Sequence, residues 1–480
     1  MKKIIAAFLI AFIILVTGCK TDEWQVLFNG EDLSGWTASE NPGSWKVENG
    51  EVITAGTRSH LFYTGEVEDH NFRNFELMLE VKTTPGSNSG VYFHTEYQDE
   101  GWPSKGYECQ VINSNNPAEP GAYVEHKMTG SIYAIRNTWK SPVKDNEWFN
   151  YHIVVRGKTI QTYINDELIA EYTEPDTSLV SNDFAGRRLS SGTFALQCHD
   201  PGSEVHYRNI RVKVLPDDLP TPGTPPEDLE FEKQLLELAA ANFPLVDLHV
   251  HLKGGLTMDQ ALANARKYGF TYGFAVNCGL KMGFETDSAL MEYVNTYDQP
   301  PITWFAMQAE GREWLDMFSK ESISMFDYVF TDAMTWTNDN GKRMRLWIKE
   351  ETEVGDPGNF IDQLVDRIVG ILENEPIDIY VNPTYLPEEI SDMYDELWTD
   401  ERMDAVIRAL VANDVALEIN NVRSIPSPAF IKRAKAAKVK FTFGTNNTSL
   451  DDLGRMDYAI SMIRECGLVP EDMWLPVSKK

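Results

Sequence analysis

Polar residues of types that can do acid–base chemistry or bind a polyol are threaded through four strand-like blocks of the chain. They are Asn88-Ser89-Gly90-Val91-Tyr92-Phe93-His94, Gly106-Tyr107-Glu108-Cys109-Gln110-Val111, Thr129-Gly130-Ser131-Ile132-Tyr133 and Leu196-Gln197-Cys198-His199-Asp200. Side chains on a strand alternate between faces, so Glu108 and Gln110 share one face, as do Gln197 and His199. A sheet that puts a carboxylate, an imidazole and amides on one side is either a wetted surface or a polyol-binding cleft. A second constellation, Asp247-Leu248-His249-Val250-His251, places two imidazoles on one face at the end of an apolar run. Paired histidines at a strand's C-terminal end are a start for a metal site.

The elements around these residues change character near the middle of the chain. Up to about Leu215, short alternating runs recur at 75–81, 91–93, 151–155, 160–164 and 205–212, with turn residues such as Asn49-Gly50 and Asn165-Asp166 between them. That pattern predicts an antiparallel sandwich over 24–215. The stretch 216–226 is rich in proline, which removes backbone donors and favours an extended linker. From 227 to 480, helical spacing alternates with apolar strands at 245–250, 272–276, 302–307, 328–330, 377–381, 416–419 and 440–443. Repeated βα units predict a parallel α/β barrel of seven strands. The reading is thus multidomain, all-β followed by α/β.

The N-terminus reads as an address. Lys2 and Lys3 precede an apolar run from Ile4 to Val16, and small residues lead to Cys19. This predicts a signal peptide over 1–18. The segment resembles a bacterial lipobox, which implies acylation at Cys19, a lipid anchor in the membrane and a place in the cell envelope. Lys20-Thr21-Asp22-Glu23 resembles an acidic export signal, which implies the outer membrane. The formal net charge of −30, from 73 acidic and 43 basic residues, argues against a nucleic-acid partner. Cys109, Cys198, Cys278 and Cys466 are scattered without metal-ligand spacing and read as small buried hydrophobes.

Together with Phe28-Asn29-Gly30, Leu33-Ser34-Gly35-Trp36, Trp148-Phe149-Asn150 and Tyr207-Arg208-Asn209-Ile210, the four blocks resemble the 3-keto-disaccharide hydrolase family. The resemblance runs from about Trp24 to Leu215. It implies a concanavalin-like jelly-roll sandwich acting on oxidised, 3-keto oligosaccharides or glycosides, and a glucoside 3-dehydrogenase upstream to supply them. His94 stands where that family more often has arginine. A carbonyl at C3 acidifies the C2 proton, so one base, an enolate donor and a proton source suffice for elimination and hydration. Glu108 or His199 is expected to take the proton while the other protonates the departing oxygen. Gln110, Gln197 or Arg208 would donate to the enolate, and His94, Tyr133 and Trp148 would shape the sugar subsite. The sandwich calls for no redox cofactor. The alternative is a carbohydrate-binding sandwich carrying a working barrel.

The second half resembles the PHP family of metal-dependent phosphoesterases, with His249-Val250-His251 as its opening motif. The resemblance implies ligands at His249, His251, Glu313 of Gly311-Arg312-Glu313, Asp332 and Glu418, with Glu310 competing for the role of Glu313. Asn277-Cys278, Asn382-Pro383 and Asn446-Asn447-Thr448 stand where that family has acids and histidines. Amide oxygens bind transition metals weakly, so the expectation is either a single divalent metal or a retired barrel.

Overall fold

Alternation is strictest in Phe75–Thr83, where Phe75, Leu77, Leu79 and Val81 are buried and the residues between them are not. A strand with this pattern covers a core on one side and meets solvent on the other. In the computed structural model, which describes residues 23–115, 123–338, 340–454 and 456–477, it lies in the middle of an eight-stranded antiparallel sheet. The second sheet has five strands, in the order Trp36–Ala38, Ser59–Tyr63, Thr193–Cys198, Ser89–Thr95 and Tyr107–Val111. The two inner faces share one core, in which Val91, Phe93, Cys109, Leu196 and Cys198 pack against Leu77, Leu79, Tyr151 and Tyr207. Both cysteines are free and buried, as their composition suggested. The expected signal peptide and the expected acylation site, Cys19, lie outside the described residues.

The hairpin of Thr159–Ile164 and Glu167–Thr173 turns on Asn165 and Asp166, at φ 50° and 69°. Two consecutive left-handed residues make a type I′ turn, whose twist matches the flanking strands. Asparagine and aspartate tolerate that region better than other non-glycine residues, so no glycine is needed.

After Leu229–Ala240, seven parallel strands follow in spatial order: Val246–Val250, Thr271–Gly279, Trp304–Glu310, Tyr328–Thr331, Ile379–Tyr380, Ala416–Asn420 and Phe441–Gly444. The first and last strands lie side by side, and the backbone N–H of Asn446 donates to the His249 carbonyl at 2.9 Å. The sheet is therefore nearly closed into a barrel, with helices around it. Met258–Tyr268 shows how locally this is written. Thr257 and Gln260 form a capping box, and Gly269 ends the helix at φ 76°.

The halves are joined by more than the connecting segment. Thr221 and Gly223 hydrogen-bond to the sandwich at Lys158 and Thr159, so the Pro-rich stretch lies against it. Trp139 donates from Nε1 to the Gly269 carbonyl and from its backbone to Thr271 Oγ1, at 2.9 and 3.0 Å. Arg136 pairs with Glu232 at 2.8 Å, both almost wholly buried. Removing one partner of such a pair strands a charge, whereas replacing both with apolar groups is far cheaper. Glu232→Gln is therefore expected to cost about 3–5 kcal/mol, and Arg136→Met combined with Glu232→Leu to recover most of it. Urea denaturation midpoints of the three chains check this.

Candidate functional site

The outer face of the five-stranded sheet carries a cavity of about 500 Å3. Glu108 and Gln110 reach it from Tyr107–Val111, Tyr92 from Ser89–Thr95 and Gln197 from Thr193–Cys198, with His199 just beyond that strand's end. The two pairs that alternation placed on one face thus meet in one place. Gln197 Nε2 donates to Glu108 Oε1 at 2.9 Å and to the Tyr92 hydroxyl at 3.0 Å. Gln110 Nε2 donates to Asn88 Oδ1 at 3.1 Å. Gly90, opposite Gln110 in the register, leaves room for Glu108, since a Cβ there would stand 2.5 Å from the carboxylate.

The positive charge at the floor comes from Arg187, on the loop before Thr193–Cys198. Its Nη2 donates to Glu108 Oε2 at 3.1 Å, while its buried Nη1 has no partner among the described residues. At the rim, His199 Nδ1 lies 2.8 Å from Asp200 Oδ2, and its Nε2 makes no hydrogen bond among the described residues. An aspartate on Nδ1 fixes the tautomer that leaves Nε2 as the acceptor. Trp102, 44% exposed, tilts over the His199 ring at 5.1 Å and offers an aromatic wall.

The opposite wall belongs to Tyr133 and Glu125. The Tyr133 and Tyr123 hydroxyls donate to Glu125 Oε2 at 3.2 and 2.9 Å, and buried Lys127 pairs with Glu125 Oε1 at 2.8 Å. Burial pushes the Lys127 ammonium below its ordinary range, against the pull of Glu125. Glu108 is thus not the only acid in the cavity, which Glu125 and Asp183 also line. Arg187, Glu125 and Trp102 escaped sequence reasoning because they sit on loops, where no periodicity marks a face.

Three expected site residues lie elsewhere. Arg208 is on Glu204–Val214 of the other sheet, next to core-facing Tyr207, so alternation turns it outward. There it binds Glu80 at 2.6 Å and covers the Trp148 ring at 3.9 Å. Neither Arg208 nor Trp148 lines the cavity. His94 is buried at the end of its strand, with Nε2 on the Arg73 carbonyl at 2.8 Å and Nδ1 accepting from Ser190 N at 3.2 Å. It ties two backbone segments together, and burial lowers its pKa to about 4.

In the barrel the expected metal ligands are bonded mostly to neighbouring groups, while His249 Nε2 is buried with no partner among the described residues. His249 Nδ1 is 2.7 Å from Glu418 Oε1, and Glu418 Oε2 accepts from Asn382 N at 2.6 Å and Asn420 Nδ2 at 3.2 Å. Asp332 accepts from Met334 N and Asn382 Nδ2, and His251 Nδ1 lies 3.1 Å from the Ala275 carbonyl. Glu313 is partly exposed and pairs with Arg343 at 2.6 Å, whereas Glu310 is buried, its carboxyl pushed up by burial and by Asp332. Among the described residues no three His, Cys, Asp or Glu side chains are placed to hold a metal ion. The donor set does not fit the expected metal.

Residues 23–213 match the family model of the 3-keto-alpha-glucoside-1,2-lyase-like domain, which covers the sandwich and not the barrel. A 3-keto-disaccharide hydrolase of Bacteroides thetaiotaomicron is 27% identical over 231 residues, spanning 40% of this chain and 79% of that protein. Among solved structures, a candidate glycosyl hydrolase of Parabacteroides distasonis aligns at 23% identity and TM-score 0.34, over 40% of this chain and 94% of its own. A histidinol phosphate phosphatase of Lactococcus lactis aligns at 14% identity and TM-score 0.35, over 47% and 94%.

Beneath Trp102, His60 is fully buried with neither ring nitrogen partnered among the described residues, and burial lowers its pKa to about 3. Unfolded imidazoles take up protons below about pH 6.5, while folded His60 and His94 resist until about 3 and 4. Their contribution is therefore whole above about pH 6.5 and is lost as pH falls through that window. Urea midpoints should decline between about pH 6.5 and 4.5, and His60→Phe should flatten the decline. Equal slopes for the two chains would contradict this, since His60 would then take up its proton equally in the folded and unfolded states.

Proposed function

We propose that the sandwich cleaves 3-keto glycosides, with His199 as the base that removes the C2 proton. The observation that carries this reading is one cavity lined both by an Asp200-oriented imidazole and by Arg187, whose buried Nη1 has no partner among the described residues. The match of residues 23–213 and the name of the Bacteroides relative supply the substrate class.

Ketonisation at C3 makes the C2 proton acidic. His199 Nε2 takes it, the C–H electrons move toward C3, and the carbonyl oxygen becomes an enolate opposite Arg187 Nη1. A preorganised donor aimed at developing charge is worth more in a partly desolvated site than in water. The electrons then return, C1=C2 forms, and the C1–O bond breaks. The departing oxygen receives its proton from the His199 imidazolium, which restores the base. Water adds at C1, a proton returns to C2, and the net reaction is hydrolysis. Glu108 holds the guanidinium in place through Nη2, Tyr92 and Gln197 flank it, and Trp102 suits the apolar face of a pyranose.

A leader over residues 1–18 and acylation at Cys19 would hold this reaction at the outer membrane. A glucoside 3-dehydrogenase in the same envelope would supply the ketone. These parts of the proposal rest on the N-terminal sequence and on the chemistry of the substrate.

One observation favours a second reading, a sandwich that binds sugar without turning it over. Both Glu108 oxygens are already engaged, by Gln197 and Arg187. Product mass after incubation with a 3-keto disaccharide separates the two. Wild type should release product from the oxidised sugar and leave the unoxidised one whole. His199→Ala should lower the rate about 10²- to 10⁴-fold and Arg187→Met about 10²- to 10³-fold. Equal cleavage of both sugars, or full activity of His199→Ala, would contradict the proposal.

A further inference from the structure

The wall formed by Tyr133 and Glu125 is fastened in part from outside the sandwich. Val124 to Lys127 belong to no strand or helix, so no backbone ladder holds them. Asn115 Nδ2 holds the Glu125 carbonyl at 2.8 Å from within the sandwich, and Asn242 holds the rest from outside it. Asn242 lies just past the helix Leu229–Ala240 that leads into the barrel, buried and left-handed at φ 60°. Its Oδ1 accepts from His126 N and Lys127 Nζ, both at 3.0 Å, and its Nδ2 donates to the Val124 carbonyl at 2.8 Å. One amide thus closes a bridge over four consecutive residues of the other half of the chain.

We propose that Asn242 is a positioning residue of the sandwich cleft, so that the barrel half finishes a site it does not itself contain. The inference rests on the sugar-cleaving reading given above and adds a part to it. Lys127 held by Asn242 fixes Glu125 Oε1, and Glu125 Oε2 takes the hydrogen of the Tyr133 hydroxyl. With its hydrogen so spent, the Tyr133 oxygen turns lone pairs to the cavity and accepts from a donor. The wall therefore reads a free sugar hydroxyl, and a substrate with that hydroxyl blocked or missing binds it poorly. The Lys127 ammonium, 4.6 Å from the Tyr133 ring centre, adds a cation beneath the same ring.

A plain structural role is the competing explanation, because other contacts across the junction only fasten it. Thr271 is such a contact, accepting from Trp139 N away from the cleft. The test compares the full chain carrying Asn242→Ala with the full chain carrying Thr271→Val. Hydrogen–deuterium exchange of the peptide covering Val124 to Lys127 should quicken about tenfold in the first and stay unchanged in the second. Turnover of the 3-keto disaccharide should fall about ten- to a hundredfold in Asn242→Ala at a similar melting midpoint. Asn242→Asp keeps the acceptor toward Lys127 but sets an oxygen against the Val124 carbonyl, and should fall between.

Unchanged exchange and turnover in Asn242→Ala would overturn the proposal, as would equal damage by Thr271→Val. If wild type turns over no 3-keto sugar, the sugar-cleaving reading has failed. The exchange comparison then still decides whether Asn242 sets the wall.

Discussion

A carboxylate in the floor of a largely buried cavity must be given a counter-charge or be neutralised. In this sandwich the counter-charge for Glu108 is Arg187, and Gln197 supplies the second bond. That arrangement organises the cavity. It fixes the guanidinium, whose Nη1 has no partner among the described residues, and it ties Tyr107–Val111 to Thr193–Cys198, across the strand Ser89–Thr95 between them, and to a loop. Gly90 is part of the same constraint, since any side chain there would displace the carboxylate. His199 then needs no burial of its own. It stands at the rim, oriented by Asp200 and partly open to solvent.

Much of the sandwich was legible because alternation is a local signal. It put Glu108 with Gln110 and Gln197 with His199, and the cavity holds all four. The errors have a common physical source. Alternation tells which face of a strand a residue takes but not which of two sheets holds the strand. Arg208 therefore looked like Glu108 while lying across the core, paired with Glu80. His94 failed differently. At φ 54° it leaves the strand geometry, and its ring is consumed by two backbone groups. Arg187, Glu125 and Trp102 lie on loops that only the folded chain brings into place. In the barrel the apolar strands were visible as runs. Whether His249 and Glu418 faced a metal or each other depended on distances that no spacing encodes.

The halves of the chain are coupled through the same physics that builds the cavity. The segment 123–140 contributes Glu125 and Tyr133 to the cleft, and Arg136, Trp139 and Lys140 to the junction with the barrel. Fixing a loop without its own ladder costs conformational entropy, and here buried hydrogen bonds from a second core offset that cost. The barrel's polar centre, with His249 and Glu418 paired, contributes no residue to the sandwich cavity.

The central claim is that an imidazole removes the C2 proton before any bond to the leaving group breaks. The most direct measurement follows deuterium from D2O into C2 of a 3-keto sugar that carries no leaving group at C1, by mass. Wild type should label C2, and His199→Ala should not. Cleavage of a 3-keto disaccharide by a wild-type enzyme that never labels C2 of this analogue would contradict the account.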